Sequence, residues 1–265
     1  MRSSNGALNR WIESGAGREE MAPEYGHYGQ QVTPPQVRPM TLDDVVVRTV
    51  GLLLLTGITG TITWMLIGVN PGAAYVLMTV GLLVSLGAML ATMFGGYRLF
   101  ANPWVPSIYA GGVGFALGGV SAAMEASYPG IVVQAVAATF GVFFGMALLF
   151  KAKVVRNSPK FTKFIIGAGF GIAAIILVNL LLSVFGVDSG LFYNGTGEVS
   201  WLQWAVAIVF VVWGALSFIL DFDMVEQGVR YGAPKKMAWM AAFGMVAGLV
   251  FLYLSILRLL SYLRQ

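Results

Sequence analysis

The side chains best able to do chemistry lie in the last fifth of the sequence, between Ile219 and Leu263. An apolar segment from Ser200 ends in two carboxylates, Asp221 and Asp223, and a short charged loop with Glu226 and Arg230 follows. A second apolar segment, from about Met237, carries Ser255 and Arg258 well inside it. Ionisable groups at membrane depth are costly to desolvate, so they tend to face a bundle interior or a water-filled cavity and mark functional sites. A solvated helix end is the competing reading of the two aspartates. For Glu226, four residues before Arg230, a helical i,i+4 pair is the simpler role.

The chemistry is narrowed by what the sequence lacks. Its single histidine, His27, sits in a polar stretch near the amino terminus, where a solvated residue is expected. That excludes a Ser-His intramembrane protease and a His-Glu-x-x-His zinc protease. An aspartyl intramembrane protease needs two aspartates on different helices sharing a proton. Asp221 and Asp223 would instead lie about 200° apart around one helix. A retinal protein needs a lysine deep in a late span, whereas Lys235 and Lys236 stand only at the mouth of the last one. There is no cysteine for a thiolate site and no GxxxxGK[ST] loop, so no cofactor is expected.

What remains is a carboxylate site inside a bundle. Arg258 would lie about 30 Å along its span from Met237, too far to pair with Asp223, and is expected to snorkel outward. Arg48, at the start of the first apolar segment, is a better-placed partner, with Asp43 and Asp44 competing for it.

The positioning elements follow from composition. The 265 residues are 57% hydrophobic and 11% charged, with mean hydropathy +0.77, whereas about a quarter of a soluble domain is charged. This composition specifies an integral membrane protein. Residues 1–44 are rich in Gly, Pro, Ser, Gln and charge and are expected to be a disordered tail without a cleaved signal peptide. Thr41, followed by Asp43 and Asp44, resembles a helix start.

Residues 45–265 predict seven spans, near 46–68, 73–96, 106–125, 130–151, 163–186, 200–222 and 237–263, each close to the roughly 20 residues a crossing needs. Pro71-Gly72, Asn102-Pro103, Pro129-Gly130, Pro159 and Gly232-Ala233-Pro234 mark the breaks. The expected architecture is therefore an all-α, seven-helix transmembrane bundle. Lys and Arg gather in the tail junction and in the second, fourth and sixth loops, and are missing from the first, third and fifth. The positive-inside rule then places the amino terminus in the cytoplasm, the carboxyl terminus outside, and Asp221, Asp223 and Glu226 near the cytoplasmic face. The net charge of +4 is thus an orientation signal rather than a nucleic-acid footprint. The sequon Asn194-Gly195-Thr196 falls in an outer loop. Gly114/Gly118 and Gly167/Gly171 are spaced for close helix approach, within one bundle or at a homodimer face. Tyr97, Trp104, Trp201 and Trp204 read as interfacial belt residues.

Several separated segments together resemble the bacterial branch of the Bax inhibitor-1 family. They are Phe222-Asp223 closing the sixth span, LYLSILRLL at 252–260, YPGIVVQAVAATFGVFFGMALLFKAKVVRNSPKF at 128–161, and the linker LDFDMVEQGVRYGAPKK at 220–236. The resemblance implies a seven-span protein of the bacterial inner membrane and a pH-sensitive calcium leak, controlled by one aspartate in each of the last two spans. Asp223 matches the first of these. The second position falls on Ser255, a departure, because a serine cannot share a proton with a carboxylate.

On this reading Asp223 is the gate and calcium ligand, Asp221 and Glu226 draw cations to the mouth, and Ser255 lines the path. Calcium suits such oxygen ligands. Calcium ions and protons would be cargo or regulators, the partners would be the bilayer and a membrane protein, and the state a monomer or weak oligomer without catalytic activity. The alternative is a non-conducting protein that restrains a membrane protease or stress factor through its tail and bundle surface. A proton-coupled transporter ranks third, since no internal repeat is found.

Overall fold

The computed structural model describes residues 38–100, 102–186 and 199–264. The segment through residue 37, with His27, and the sequon Asn194-Gly195-Thr196 lie outside the described residues, as does the side chain of Tyr97. Seven helices are present among those described: α1 Leu42–Val69, α2 Pro71–Phe100, α3 Trp104–Ser127, α4 Ile131–Lys151, α5 Pro159–Val184, α6 Trp201–Arg230 and α7 Met237–Leu263. Each is long and apolar enough to cross a membrane. The chain is a multi-pass integral membrane protein.

The first helix starts where its capping chemistry dictates. Thr41 Oγ1 accepts from the Asp44 amide at 3.2 Å while Asp44 Oδ2 accepts from the Thr41 amide at 3.3 Å, a capping box that satisfies two otherwise orphaned donors. Residues 38–44, assigned to the tail on composition, therefore belong to the helical unit. Ahead of the cap, the Met40 amide donates to the Ala233 carbonyl (2.7 Å) and the Lys235 amide to the Arg38 carbonyl (3.0 Å). This antiparallel bridge ties the approach to α1 to the α6–α7 turn. The Met40 side chain is buried with Val45, Val225 and Ala238.

The sixth helix is also longer than expected. The charged stretch after Asp223 is not a loop but the last two turns of α6, because Val225 and Val229 still have an apolar cluster to pack against there. The helix closes in a Schellman turn: Ala233 N–H reaches the Gly228 carbonyl (2.8 Å), Gly232 N–H the Val229 carbonyl (3.2 Å), and Gly232 takes φ +65°. Between α1 and α2 a single residue, Asn70, makes the corner, its side chain accepting from the Ala73 amide at 3.1 Å and Pro71 filling the first helical position.

The last helix is the axis of the bundle. Of its most apolar window 61% is buried, against 11% for α5, so α7 is the packed centre and α5 the periphery. α7 touches α1, α2, α3, α4 and α6, whereas α5 touches α6 among the described residues. α1 and α3 approach closely, Gly118 facing Gly60 and Gly114 sitting against Thr56 and Thr59. Thr56 Oγ1 bonds the carbonyls of Leu52 (3.0 Å) and Ala110 (3.1 Å), so the seam is both tight and hydrogen-bonded. Gly167 and Gly171 have open space above them. Of the two glycine spacings, only Gly114/Gly118 closes a contact within the bundle.

Candidate functional site

Phe222 sets the rotation of α6 at the two aspartates. Its ring packs on Phe143 and Phe150 of α4, with centroids 5.5 and 5.7 Å away, and Phe143 also meets the fully buried Phe218 at 5.1 Å. With Phe222 turned to α4, its neighbours on either side diverge, as helical geometry requires.

Asp221 turns to α7. It packs against two glycines one turn apart: a Cβ built on Gly244 would lie 3.4 Å from Asp221 Oδ1, and one on Gly248 would lie 3.5 Å from Oδ2. The carboxylate thus occupies room that glycine leaves in the central helix. It is half-buried, and among the described residues it has no hydrogen-bond or ion-pair partner. Among the described residues no fully occluded side-chain oxygen lacks a partner, so the Asp221 oxygens are not sealed off. A half-buried, unpaired carboxylate still reached by a water-sized sphere is chemically a cation or proton acceptor.

Asp223 turns the other way and is already engaged. Its Oδ2 accepts from Asn157 Nδ2 at 2.8 Å and from Gln227 Nε2 at 2.7 Å. Asn157 in turn accepts from Thr162 Oγ1 at 2.7 Å. Asp223 therefore fastens the segment between α4 and α5 to the end of α6.

The remaining candidates do not join these two. Ser255 is buried, but its hydroxyl donates to the Phe251 carbonyl of its own helix at 2.8 Å. It lies roughly 13 Å further along α7 than the level of Asp221, at 1.5 Å per residue, so the two do not meet. Arg48 is taken by Asp44, donating to its backbone carbonyl at 3.1 Å, and lies over the Trp239 ring at 5.2 Å. Of the two competing readings for Arg48, the local acid prevails. Glu226 is exposed and makes no ion pair with Arg230, whose guanidinium lies 6.0 Å over the Tyr231 ring instead. Arg258 stays half-buried with its guanidinium 6.0 Å from the Phe210 ring of α6, rather than reaching outward alone.

Among the described residues no three His, Asp or Glu side chains gather into a metal-binding cluster. A cation at Asp221 would meet a single carboxylate. An apolar cavity of about 570 Å³ between α1, α3, α4 and α7 has the Ser121–Tyr253 hydroxyl pair (2.7 Å) on its wall, and neither Asp221 nor Ser255 lines it.

Asn157, Gln227, Gly244 and Gly248 were not singled out from the sequence. The two glycines did leave a signal. Counting outward from Ala233 in the turn, Asp221 is twelve residues back and Met245 twelve forward, so antiparallel packing brings Asp221 to the level of the Gly244/Gly248 pair.

No curated protein matches the chain as an individual sequence. The family profile described as Bax inhibitor 1 like matches residues 8–265, nearly the whole sequence and all seven helices, and the chain belongs to that family.

Proposed function

We propose that this Bax inhibitor 1-like protein is a pH-sensitive cation leak, with calcium its foremost ion, in a bacterial inner membrane. The end at which α1 and α7 begin faces the cytoplasm and the carboxyl terminus lies outside. The observation that carries this reading is Asp221, an unpaired carboxylate held between α6 and the glycines of α7. The resemblance of Phe222-Asp223 to the family's first acid points two residues further along α6, to the opposite side of the helix. In the reading adopted here Asp221 meets the ion, and Asp223 holds the 152–158 segment at the mouth through Asn157.

One carboxylate is a weak calcium site, because affinity rises with the number of charged ligands. Weak sites suit conduction, which requires an ion to leave as readily as it enters. A proton and a cation compete for the same oxygens, so cation occupancy falls as pH falls. With Ser255 bonded to its own helix, no second acid among the described residues shares that proton, and the pH dependence is that of one group.

The test is calcium flux from liposomes carrying the purified full chain, between pH 6 and 8. Asp221→Asn is expected to cut flux at least tenfold and to flatten its pH dependence, while Asp223→Asn retains most of both. Undiminished flux in Asp221→Asn would remove that residue from the path. No flux from the unmodified protein would leave the regulatory, non-conducting reading in its place.

A further inference from the structure

At the end of the bundle where α1 and α7 begin, a cavity of about 620 Å³ opens beside the main-chain bridge. Its mouth carries Arg38, Arg48 and Lys235 along with Asp43 and Asp44. The two acids do not cancel the three cations locally. Asp44 is committed to Thr41, to Lys235 Nζ at 3.3 Å and to Arg48, and Asp43 stands exposed at the rim. Arg38 is exposed, and among the described residues its guanidinium has no partner. Lys235 keeps 39% of its side chain exposed, with only one of its three donors used on Asp44.

Below this mouth the lining becomes apolar. Gly51 has nothing within 4 Å of where a Cβ would sit, leaving a groove along α1 between Val47 and Leu55. The Trp239 ring, with Arg48 over its face, forms the side wall. From Leu42 to Leu55 is roughly 20 Å of helix, so the lining runs from the interface level well into the hydrocarbon. A basic pocket between spans with an apolar trough beneath it has the polarity profile of a single phospholipid.

We propose that this cleft binds one anionic phospholipid, its phosphate held by Arg38 and Lys235 and an acyl chain lying along Gly51 and Leu55. A free phosphate would satisfy the mouth and leave the trough unused. A choline headgroup would bring a further positive charge to a mouth where Arg38 is already unpaired. Phosphatidylglycerol, with a net negative charge and a hydroxylated head, fits both parts. Its phosphate would touch side chains from both strands of the bridge, so the lipid would brace the α6–α7 turn. The inference needs only the seven spans and this cleft, and stands apart from the leak reading.

Native mass spectrometry of the full chain, released from nanodiscs of equimolar phosphatidylglycerol and phosphatidylcholine, tests it. One retained phosphatidylglycerol is expected in preference to phosphatidylcholine. Arg38→Gln with Lys235→Gln should lower that retention at least fivefold, and Lys153→Gln with Lys160→Gln, outside the cleft, should leave it unchanged. Arg38→Gln alone guards against misfolding, since the exposed side chain can change while the bridge stays, and at least a twofold loss is expected. Equal retention of both lipids, equal loss in the Lys153/Lys160 variant, or full retention in the folded Arg38→Gln protein would each overturn the site. Displacement of the lipid by millimolar inorganic phosphate would overturn it too, by making it a site for free anions.

Discussion

Between α1 and α3, glycine lets two backbones meet: Gly118 faces the Gly60 main chain, and Gly114 seats against Thr56 at 2.5 Å from where its Cβ would be. Between α6 and α7, side chains rather than main chain stand over the glycines: Asp221 over Gly244, and the Phe218 ring together with Asp221 over Gly248. At the first seam the missing methyl group is a steric necessity, because main chain stands where it would go. At the second, an added methyl on Gly244 would touch the Asp221 oxygen at 3.4 Å, an ordinary van der Waals distance. The same residue type therefore sustains the fold in one place and reserves space for a charge in the other. Sequence spacing alone does not distinguish the two uses.

The sharpest way to break this contrast is Gly118→Val. A branched side chain driven into the Gly60 backbone should cost about 3 kcal/mol or more by overpacking, seen as a large drop in the unfolding midpoint in detergent. A midpoint equal to that of the unmodified protein would show the α1–α3 seam to be loose. Next comes Asp221→Asn, whose tenfold fall in flux corresponds to about 1.4 kcal/mol, with the midpoint held or raised because a half-buried charge has been removed. A matching collapse of stability would make Asp221 a structural residue like the first seam's glycines. Smaller again, Gly244→Ala should reduce flux about threefold as its methyl group enters the ion's space. Its stability should rise by up to about 1 kcal/mol from helix propensity, so the two readouts move in opposite directions. Smallest is Asn157→Ala, which removes one donor to Asp223 and a net hydrogen bond worth about 1 kcal/mol. Amide hydrogen exchange in residues 152–158 should quicken while flux changes less than twofold. Unaltered exchange would show that Asp223 does not hold that segment.

The parts legible in the sequence are those set by local chemistry. Seven apolar stretches announce seven helices because each must satisfy its own backbone in lipid. The Thr41 cap was readable because its partner, Asp44, is three residues away. The divergence of Asp221 and Asp223 follows from helical pitch, but pitch says only that they part, not which one turns inward. That choice is made by Phe222 against Phe143 and Phe150, contacts between distant segments. The end of α6 is not legible in the sequence because the charges of its last turns resemble a loop, while Val225 and Val229 find burial beside Met40, whose place no local pattern reveals. Ser255 shows the limit of matching a position to a family's acid. A hydroxyl can bond the carbonyl one turn back in its own helix, and this one does.

The two hydrogen bonds joining Arg38–Met40 to Ala233–Lys235 run between peptide groups. Exchanging the side chains there does not remove either donor or either acceptor, short of introducing further prolines. Any pull on the chain ahead of Arg38 is thereby delivered to the hairpin that carries both Asp221 and its facing glycines. The amino-terminal entry and the last two helices are thus joined main chain to main chain, and a displacement of one is felt by the other.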